Sequence, residues 1–402
     1  MLNTKPKPQS PTPAIYMRGG TSKGVFFKLS DLPESCQTAG EARDNFLMRV
    51  IGSPDPYGKQ IDGLGNGSSS TSKTVILSKS DMPDHDVNYL FGQVSINKPM
   101  IDWGGNCGNL TAAVGACAIH MGLIDVNRIP ENGICEVRIW QQNIKKTIIA
   151  YIPIQDGQVV ETGNFELDGV TFPAAEVKVQ FLDPVDSDSK MFPTGNLVDD
   201  FTLPPEFDSK TIEATFINAG IPTIFVRAED LGFTGIELQS DINGDGELLS
   251  KLEAVRATGG VAMGLFDHVS EAEKSGHIPK LAWVAKPQSY TASSGKVVEA
   301  DDIDLVVRAM SMGQLHHAMM GTAAVAIAAA ATTNDGQQGT LVNEAAGGGQ
   351  LDSVTFGHPS GTLKVGGKTE LINGKWQAKK VGMSRSARRI MVGEVFVPVD
   401  CY

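Results

Sequence analysis

Cysteine is scarce in this 402-residue chain, and its five cysteines form no CxxC pair. A zinc site is therefore not expected, and reduced thiols in the cytoplasm are the expected state. Positive charge is also scarce, because the formal net charge is -12. This balance argues against nucleic acid as a partner, which calls for a basic surface. No apolar run is long enough to span a bilayer, so no membrane partner is expected; residues 318–331 predict a buried helix instead.

The length of the chain predicts more than one domain. Residues 1–13 are polar and proline-rich without an apolar secretory segment, and they are expected to be a flexible leader. Residues 14–185 are expected to form the first domain and residues 206–402 the second. This division leaves open that the last strand of the second domain crosses back to the first domain. The acidic, proline-containing segment 186–205 is the expected linker.

The two halves carry similar motifs in the same order, offset by about 200 residues. The matched positions are Gly20 and Gly220, Lys73 and Lys280, and Cys107 and Met312. This repetition predicts two similar α+β domains, and it places a ligand in a cleft between them.

Hydrophobic periodicity predicts the main elements. Strands are expected at 15–29 (two strands and a turn), 74–77, 89–96, 135–141, 146–152, 177–182, 211–217, 223–227, 281–285 and 304–310. Helices are expected at 42–51, 110–121 and 247–257, and a glycine-rich loop at 332–350.

Cys107 lies between glycines, directly before the small-residue helix at 110–121. The positive end of a helix favours a thiolate, and flanking glycines let backbone donors approach a ligand. A small buried residue at a tight turn is the alternative for this cysteine. The other four cysteines show no local signal for chemistry.

Lys73 ends a hydroxyl-rich and glycine-rich loop, GLGNGSSSTSKT, which matches neither a Walker sequence nor GxGxxG. Such a loop suits a carboxylate. A lysine at the edge of an apolar strand can lose its proton and act as a base, although most lysines are merely surface residues.

Arg18 stands in the turn YMRGGTSKGVFF and offers a bidentate partner for a carboxylate. In the second half, Ser311, His316, His317 and His358 are polar, but each histidine is better explained as a half-buried side chain with a partner. No histidine cluster has the spacing of metal ligands.

Taken together, several segments resemble the PrpF family of 2-methylaconitate cis-trans isomerases, within the diaminopimelate-epimerase fold superfamily. They are MRGGTSKGVFF, GSSSTSKT, WGGNCGN, MSMGQLHHAMMGT, HPSG and MSRSARRIMVGEVFVP, and they cover roughly residues 14–400. The resemblance implies two barrel-like domains, each wrapping a central helix, here 110–121 and 314–331. It implies that the essential lysine and cysteine are Lys73 and Cys107, and that propionate breakdown by the methylcitrate route is the context.

The resulting hypothesis is that neutral Lys73 removes an allylic proton from a tricarboxylate, with Cys107 as a second acid or base or only as a wall of the site. The substrate-binding residues are expected to be Arg18, Gly19, Gly20, Ser22, Ser70, Thr71, Asn106, Gly108, Asn109, Lys280, Ser311 and Gly313. No metal or other cofactor is needed. The second half has Ser311-Met312-Gly313 where epimerases have a second cysteine, which makes two-thiol racemisation doubtful.

Three alternatives remain open. The first is a tautomerase of 4-oxalomesaconate or of a related unsaturated diacid. The second is a non-catalytic accessory protein to an aconitase-like dehydratase. The third, ranked last, is a two-base epimerase of a chiral amino acid. Functional coupling to such a dehydratase and a homodimer are expectations from the family.

Overall fold

The computed structural model describes residues 8–185 and 189–402, which form a mixed α/β structure with more strands than helices. The α-helices are α1 (Glu41–Ile51), α2 (Thr111–His120), α3 (Gln239–Ile242), α4 (Gly246–Ala262), α5 (Gly321–Ala331) and α6 (Leu341–Ala345). The first ten strands are β1 (Gln9–Gly19), β2 (Ser22–Lys28), β3 (Lys73–Lys79), β4 (Val87–Val94), β5 (Ile101–Asp102), β6 (Gly133–Gln141), β7 (Lys146–Gln155), β8 (Gln158–Val159), β9 (Glu176–Leu182) and β10 (Asp199–Thr202). The others are β11 (Thr211–Ala219), β12 (Ile221–Arg227), β13 (Lys280–Ala285), β14 (Tyr290–Thr291), β15 (Val297–Val298), β16 (Leu305–Ser311), β17 (Gln314–Leu315), β18 (Ser353–His358), β19 (Gly361–Ile372) and β20 (Lys375–Pro398).

The described residues divide into two compact units. Unit 1 contains residues 8–166, Phe172–Val179 and Arg385–Tyr402; unit 2 contains Leu167–Thr171 and residues 180–185 and 189–384. These boundaries differ from those expected from the sequence. β20 supplies residues to both units, and a short piece near residue 170 belongs to unit 2. Residues 186–188 of the expected linker lie outside the described residues.

The expected leader and linker both contain strands. β1 begins at Gln9, and its first residues pair with the end of β20, Gln9 opposite Pro398. Pro11 and Pro13 are tolerated there because β2 joins β1 only from Ile15 onward, so this part of β1 has a single partner. β10 lies inside the expected linker and pairs with β11.

Both units repeat one order of strand pairing. In unit 1, β1–β2, β3–β4 and β6–β7 are antiparallel pairs, whereas β2–β3 and β4–β6 are parallel. In unit 2, β11–β12, β13–β16 and β18–β19 are antiparallel, whereas β12–β13 and β16–β18 are parallel. The sequence repeat is therefore matched by a repeat of topology.

The hairpins that open the two repeats each turn at a glycine with positive φ. Gly20 (φ 52°) links β1 to β2, and Gly220 (φ 70°) links β11 to β12. A Cβ at Gly20 would lie 2.7 Å from the Asn109 side chain, and one at Gly220 would lie 2.6 Å from Val325. Glycine is required at both positions for conformation and for space.

α2 and α5 are apolar on all sides, as expected for helices packed inside a protein. Every residue of α5 is buried, and in α2 the buried part runs from Thr111 to Ala118. Small side chains allow close packing, and Gly115 lies directly against Ile152 of β7. Within the described residues, no helix is both long and apolar enough to cross a membrane.

Two predictions in the second half are wrong. The helix expected from residue 314 begins at Gly321, because Gln314 and Leu315 form β17 instead. Met312 (φ 53°) and Gly313 (φ 76°) make the two-residue turn between β16 and β17, and positive φ at both positions is typical of a type I′ hairpin. The loop expected at 332–350 contains α6, whose N-cap Thr340 accepts a hydrogen bond from the Asn343 backbone.

Candidate active site

Lys73 is the first residue of β3 and is buried, with 7% of its surface exposed. Its Nζ donates to Oε1 of Gln93, the residue opposite it on β4. The Gln93 amide nitrogen donates to the carbonyls of Ser72 (3.0 Å) and Ser69 (3.3 Å). Because both carbonyls hold the nitrogen, the Gln93 oxygen is directed at Lys73 and fixes the position of its amine.

The environment of Lys73 acts on its charge in two directions. Burial lowers the pKa of Lys73, and the neighbouring Cys107, when ionised, acts to raise it. The Phe91 ring, with its centroid 5.1 Å from Nζ, favours the cation. Burial is the largest effect. The neutral amine, which can accept a proton, is therefore reached at a lower pH than for an exposed lysine.

The backbone of Cys107 is held at the start of α2. Its carbonyl accepts hydrogen bonds from the backbone N–H of Thr111 (3.0 Å), the Thr111 hydroxyl (2.9 Å) and the Tyr89 hydroxyl (3.4 Å). Its Sγ accepts from the backbone N–H of Leu110 at 3.4 Å. The thiol is only partly buried and lies beside the N-terminus of α2, where a negative charge is favoured.

Arg18 is already bound to the backbone. Its Nη1 donates to the carbonyls of Ser386 (2.9 Å) and Gly20 (3.0 Å). Burial, with a smaller contribution from Arg388, lowers the pKa of Arg18 to about 10, so it remains charged near neutral pH. In this structure Arg18 links the turn between β1 and β2 to β20. Its expected role as a carboxylate-binding group stays a prediction.

The neighbouring turn packs on the start of α2. A Cβ at Gly19 would lie 2.7 Å from the Asn109 carbonyl, so only glycine allows this approach. Asn109 donates from Nδ2 to the Thr21 hydroxyl at 3.0 Å. Ser22 is buried at the beginning of β2. These predicted site residues therefore lie together at one end of α2.

The remaining unit 1 candidates fall on the loops before β3 and α2. The Ser70 carbonyl accepts from the Lys23 backbone at 3.0 Å, and the Thr71 hydroxyl lies 2.8 Å from that of Ser68. Gly108 is buried. Asn106 is buried too, and among the described residues its Nδ2 has no hydrogen-bond partner.

Three candidates belong to unit 2. Lys280 is buried and begins β13, as Lys73 begins β3. Ser311 ends β16, and Gly313 is at the tip of the following turn. Lys280 and Gly313 line one cavity in unit 2, together with apolar side chains such as Leu252 and Met310.

Of the histidines in unit 2, His316 and His358 are buried and the candidate His317 is partly buried. His316 and His317 stack with ring centroids 4.6 Å apart, and burial lowers the pKa of His317. Nδ1 of His316 accepts from the Ala318 backbone at 3.1 Å, and Nδ1 of His358 accepts from the Ser360 backbone at 3.2 Å.

Two residues near the Lys73–Cys107 pair were missed from the sequence. Gln93 holds the Lys73 amine, and Arg385 on β20 is close enough to Cys107 for their charges to interact. Arg385 stands in MSRSARR, a segment that carries the family resemblance without marking any one residue. Gln93 is one residue of an ordinary strand and had no signal of its own.

Comparison with known proteins gives consistent matches along the chain. Residues 9–398 match the family described as "PrpF protein". A 2-methyl-aconitate isomerase of Shewanella oneidensis is 63% identical over 99% of this chain and 100% of that protein. A protein of the same name from Cupriavidus necator is 61% identical over 98% of this chain and 99% of that protein. The crystal structure of a methylitaconate-delta-isomerase, 36% identical, superposes with a TM-score of 0.76 over 98% of this chain and 97% of that one.

Proposed function

This chain belongs to the PrpF family, and from that premise we propose that it is an isomerase that interconverts the trans and cis forms of 2-methylaconitate. The two relatives above 60% identity, both named 2-methyl-aconitate isomerase, support this substrate. The observation that carries the chemistry is the buried Lys73 beside Cys107, with the Lys73 amine held by Gln93.

In the proposed reaction, neutral Lys73 removes a proton from the carbon next to the double bond. The C–H bond breaks, its electrons enter an allyl anion that is delocalised onto a carboxylate, and Lys73 becomes an ammonium. In the allyl anion the original double bond has lost part of its double-bond character, so rotation about it can reset its geometry. The same proton, or one exchanged with solvent, then returns from Lys73 to the carbon it left, which gives the other geometric isomer and leaves Lys73 neutral again; return to the other end of the allyl system would instead give the isomer with a shifted double bond. Cys107 is either a second acid or base in this cycle or a wall of the site.

The anion that develops needs positive potential and hydrogen-bond donors, which a protein of net charge -12 must gather locally. The N-terminus of α2 supplies part of this potential. The residues expected to bind substrate are Arg18, Gly19, Gly20, Ser22, Ser70, Thr71, Asn106, Gly108 and Asn109 in unit 1, and Lys280, Ser311 and Gly313 in unit 2. As part of the same proposal, the strands of each unit wrap its central helix in a barrel-like manner, around α2 in unit 1 and around α5 in unit 2.

The experiment that tests this proposal follows 2-methylaconitate in D₂O by proton NMR and ultraviolet absorbance, with wild-type protein and Lys73→Ala. Wild type is expected to isomerise the substrate and to place deuterium at the allylic position, and Lys73→Ala is expected to do neither. Lys79→Ala is the matched control, because Lys79 lies exposed at the other end of β3.

Each failure has a separate meaning. If wild type does not convert 2-methylaconitate, the substrate is wrong, and 4-oxalomesaconate is the next compound to test. If no unsaturated di- or tricarboxylate is converted, the accessory-protein alternative is favoured. If Lys73→Ala remains as active as Lys79→Ala, the substrate stands but Lys73 is not the base.

A further inference from the structure

Arg385 is a buried cation without a complete set of partners. It lies on β20 with 2% of its surface exposed, and among the described residues its Nε and Nη2 have no hydrogen-bond acceptor. Burial lowers the pKa of Arg385 to about 10, so the guanidinium remains charged near neutral pH. Buried charges are normally paired, because an unpaired one loses its hydration without compensation.

Strand pairing and two hydrogen bonds bring Arg385 to the start of α2. The carbonyl of the next residue, Ser386, accepts from the Gly20 backbone (2.9 Å) and from Arg18 (2.9 Å). Gly19, beside Gly20, packs directly on the Asn109 carbonyl. This part of β20 is therefore fixed against the turn between β1 and β2. That turn packs on Asn109, which lies two residues after Cys107 and just before α2.

The unused donors near Cys107 match the chemistry of a carboxylate. Cys107, when ionised, acts to raise the pKa of Arg385, and Asn106, next to Cys107 in the chain, has a buried Nδ2 without an acceptor among the described residues. Guanidinium presents a planar set of N–H donors that fits the two oxygens of a carboxylate. An anion at this place would satisfy donors that the described protein atoms leave without partners.

We propose that Arg385 binds a carboxylate of the substrate beside Cys107, with the Asn106 amide as an additional donor. This inference rests on the proposed function for the identity of the substrate, but not for the existence of the anion site. In a competing explanation, Arg385 binds no carboxylate and only stabilises the thiolate form of Cys107.

The test compares the rates at which Cys107 reacts with iodoacetate, which carries a carboxylate, and with iodoacetamide, which does not. Both reagents need the thiolate, so the ratio of their rates cancels any change in ionisation of the thiol. Mass spectrometry of the Cys107 peptide separates this reaction from that of the other cysteines. Replacing Arg385 by glutamine is expected to lower the iodoacetate-to-iodoacetamide ratio about tenfold.

Arg389→Gln is the matched control. Arg389 is four residues further along the same strand, but it contacts His120 (3.3 Å), the last residue of α2. A helix of this length separates its two ends by about 15 Å. The control should keep the wild-type ratio. Arg385→Lys retains the charge but loses the fork, and its ratio should fall a few-fold; this variant also serves if Arg385→Gln does not fold.

A wild-type ratio in every folded Arg385 variant would overturn the proposal, and equal slowing with both reagents would assign Arg385 to the thiol alone. A lowered ratio in a protein whose wild type does not convert 2-methylaconitate would support the anion site and contradict the proposed substrate. If wild type does convert it, we also expect Arg385→Gln to raise KM more than it lowers kcat.

Discussion

Units 1 and 2 share an order of strand pairing, yet their corresponding positions carry different chemistry. β3 begins with Lys73 and β13 with Lys280, and each strand is parallel to the second strand of its hairpin. Lys73 lies opposite Gln93, whose Oε1 accepts a hydrogen bond from the Lys73 amine. Extending the register of β13 and β16 from the Ala282–Ala309 pair places Ser311 opposite Lys280. Ser311, which has a short hydroxyl side chain, thus stands in unit 2 at the position that Gln93, with its longer amide side chain, occupies in unit 1.

The central helices differ in the same way. Cys107 stands four residues before α2 begins at Thr111, and His317 stands four residues before α5 begins at Gly321. Both side chains are partly buried, but the thiol lies at a helix N-terminus, whereas the imidazole is stacked on His316. The two units therefore share an order of strand pairing, whereas the side chains at equivalent positions differ in their chemistry.

The largest expected effect distinguishes Lys73 from Lys280, the lysines that begin β3 and β13. Lys73→Met should lower kcat by about 10³- to 10⁴-fold, because the proposed base is lost. Lys280→Met should mainly raise KM, by about tenfold, because its predicted role is substrate binding. Steady-state kinetics with 2-methylaconitate measure both. Equal losses of kcat in the two variants would show that both lysines take part in proton transfer.

The second prediction concerns the two residues that precede the central helices. Cys107→Ser should lower kcat by about 10²-fold if the thiol transfers a proton, whereas His317→Gln should change it by less than about threefold. Single-turnover rates with 2-methylaconitate, measured beside melting temperatures, separate chemistry from folding. A near-normal rate in Cys107→Ser would mean that Cys107 shapes the site but transfers no proton.

The third prediction tests what the two units share. Gly20→Ala and Gly220→Ala should each destabilise the protein by about 1–3 kcal/mol, because each combines a positive φ with a close contact. Calorimetric or circular-dichroism melting would measure the loss. Gly374→Ala is the control, because Gly374 has φ 73° but no atom near the added Cβ, and its loss should be smaller. Similar losses of stability at all three positions would mean that backbone strain at positive φ, and not the close contact, causes the effect.

The smallest expected effect is a change in pH dependence. Burial lowers the pKa of Lys73, so activity should rise with pH as the amine loses its proton, at a pH below that of an exposed lysine. Gln93→Glu adds a negative charge beside the amine, which raises the Lys73 pKa and should move this rise to higher pH. The pH profile of kcat/KM measures the change, with Gln93→Met as the uncharged control. If the pH profile of kcat/KM is unchanged in Gln93→Glu, a group other than Lys73 controls the rise of activity with pH.

Much of the local structure could be predicted from the sequence. The periodicity that predicted a helix at 42–51 corresponds to α1, and the small-residue run at 110–121 corresponds to α2. Both patterns depend on residues a few positions apart, which is the range over which periodicity carries information. The start of α5 was misplaced because the repeat matches Gln314 and Leu315 with Asn109 and Leu110 at the start of α2, whereas Gln314 and Leu315 form the short strand β17.

The sequence by itself determined the repeat, the central helices, the two glycine turns and the choice of Lys73 and Cys107 as candidates. Only the tertiary structure decided that Gln93 faces Lys73, that Arg18 is held by the Ser386 carbonyl, and that Arg385 lies near Cys107. The reason is distance along the chain. Arg18 and Ser386 are 368 residues apart, and only the pairing of β1 with β20 brings them together. Strand pairing of this kind leaves no periodic signal in either segment, so the partners of a buried charge become visible only in the folded molecule.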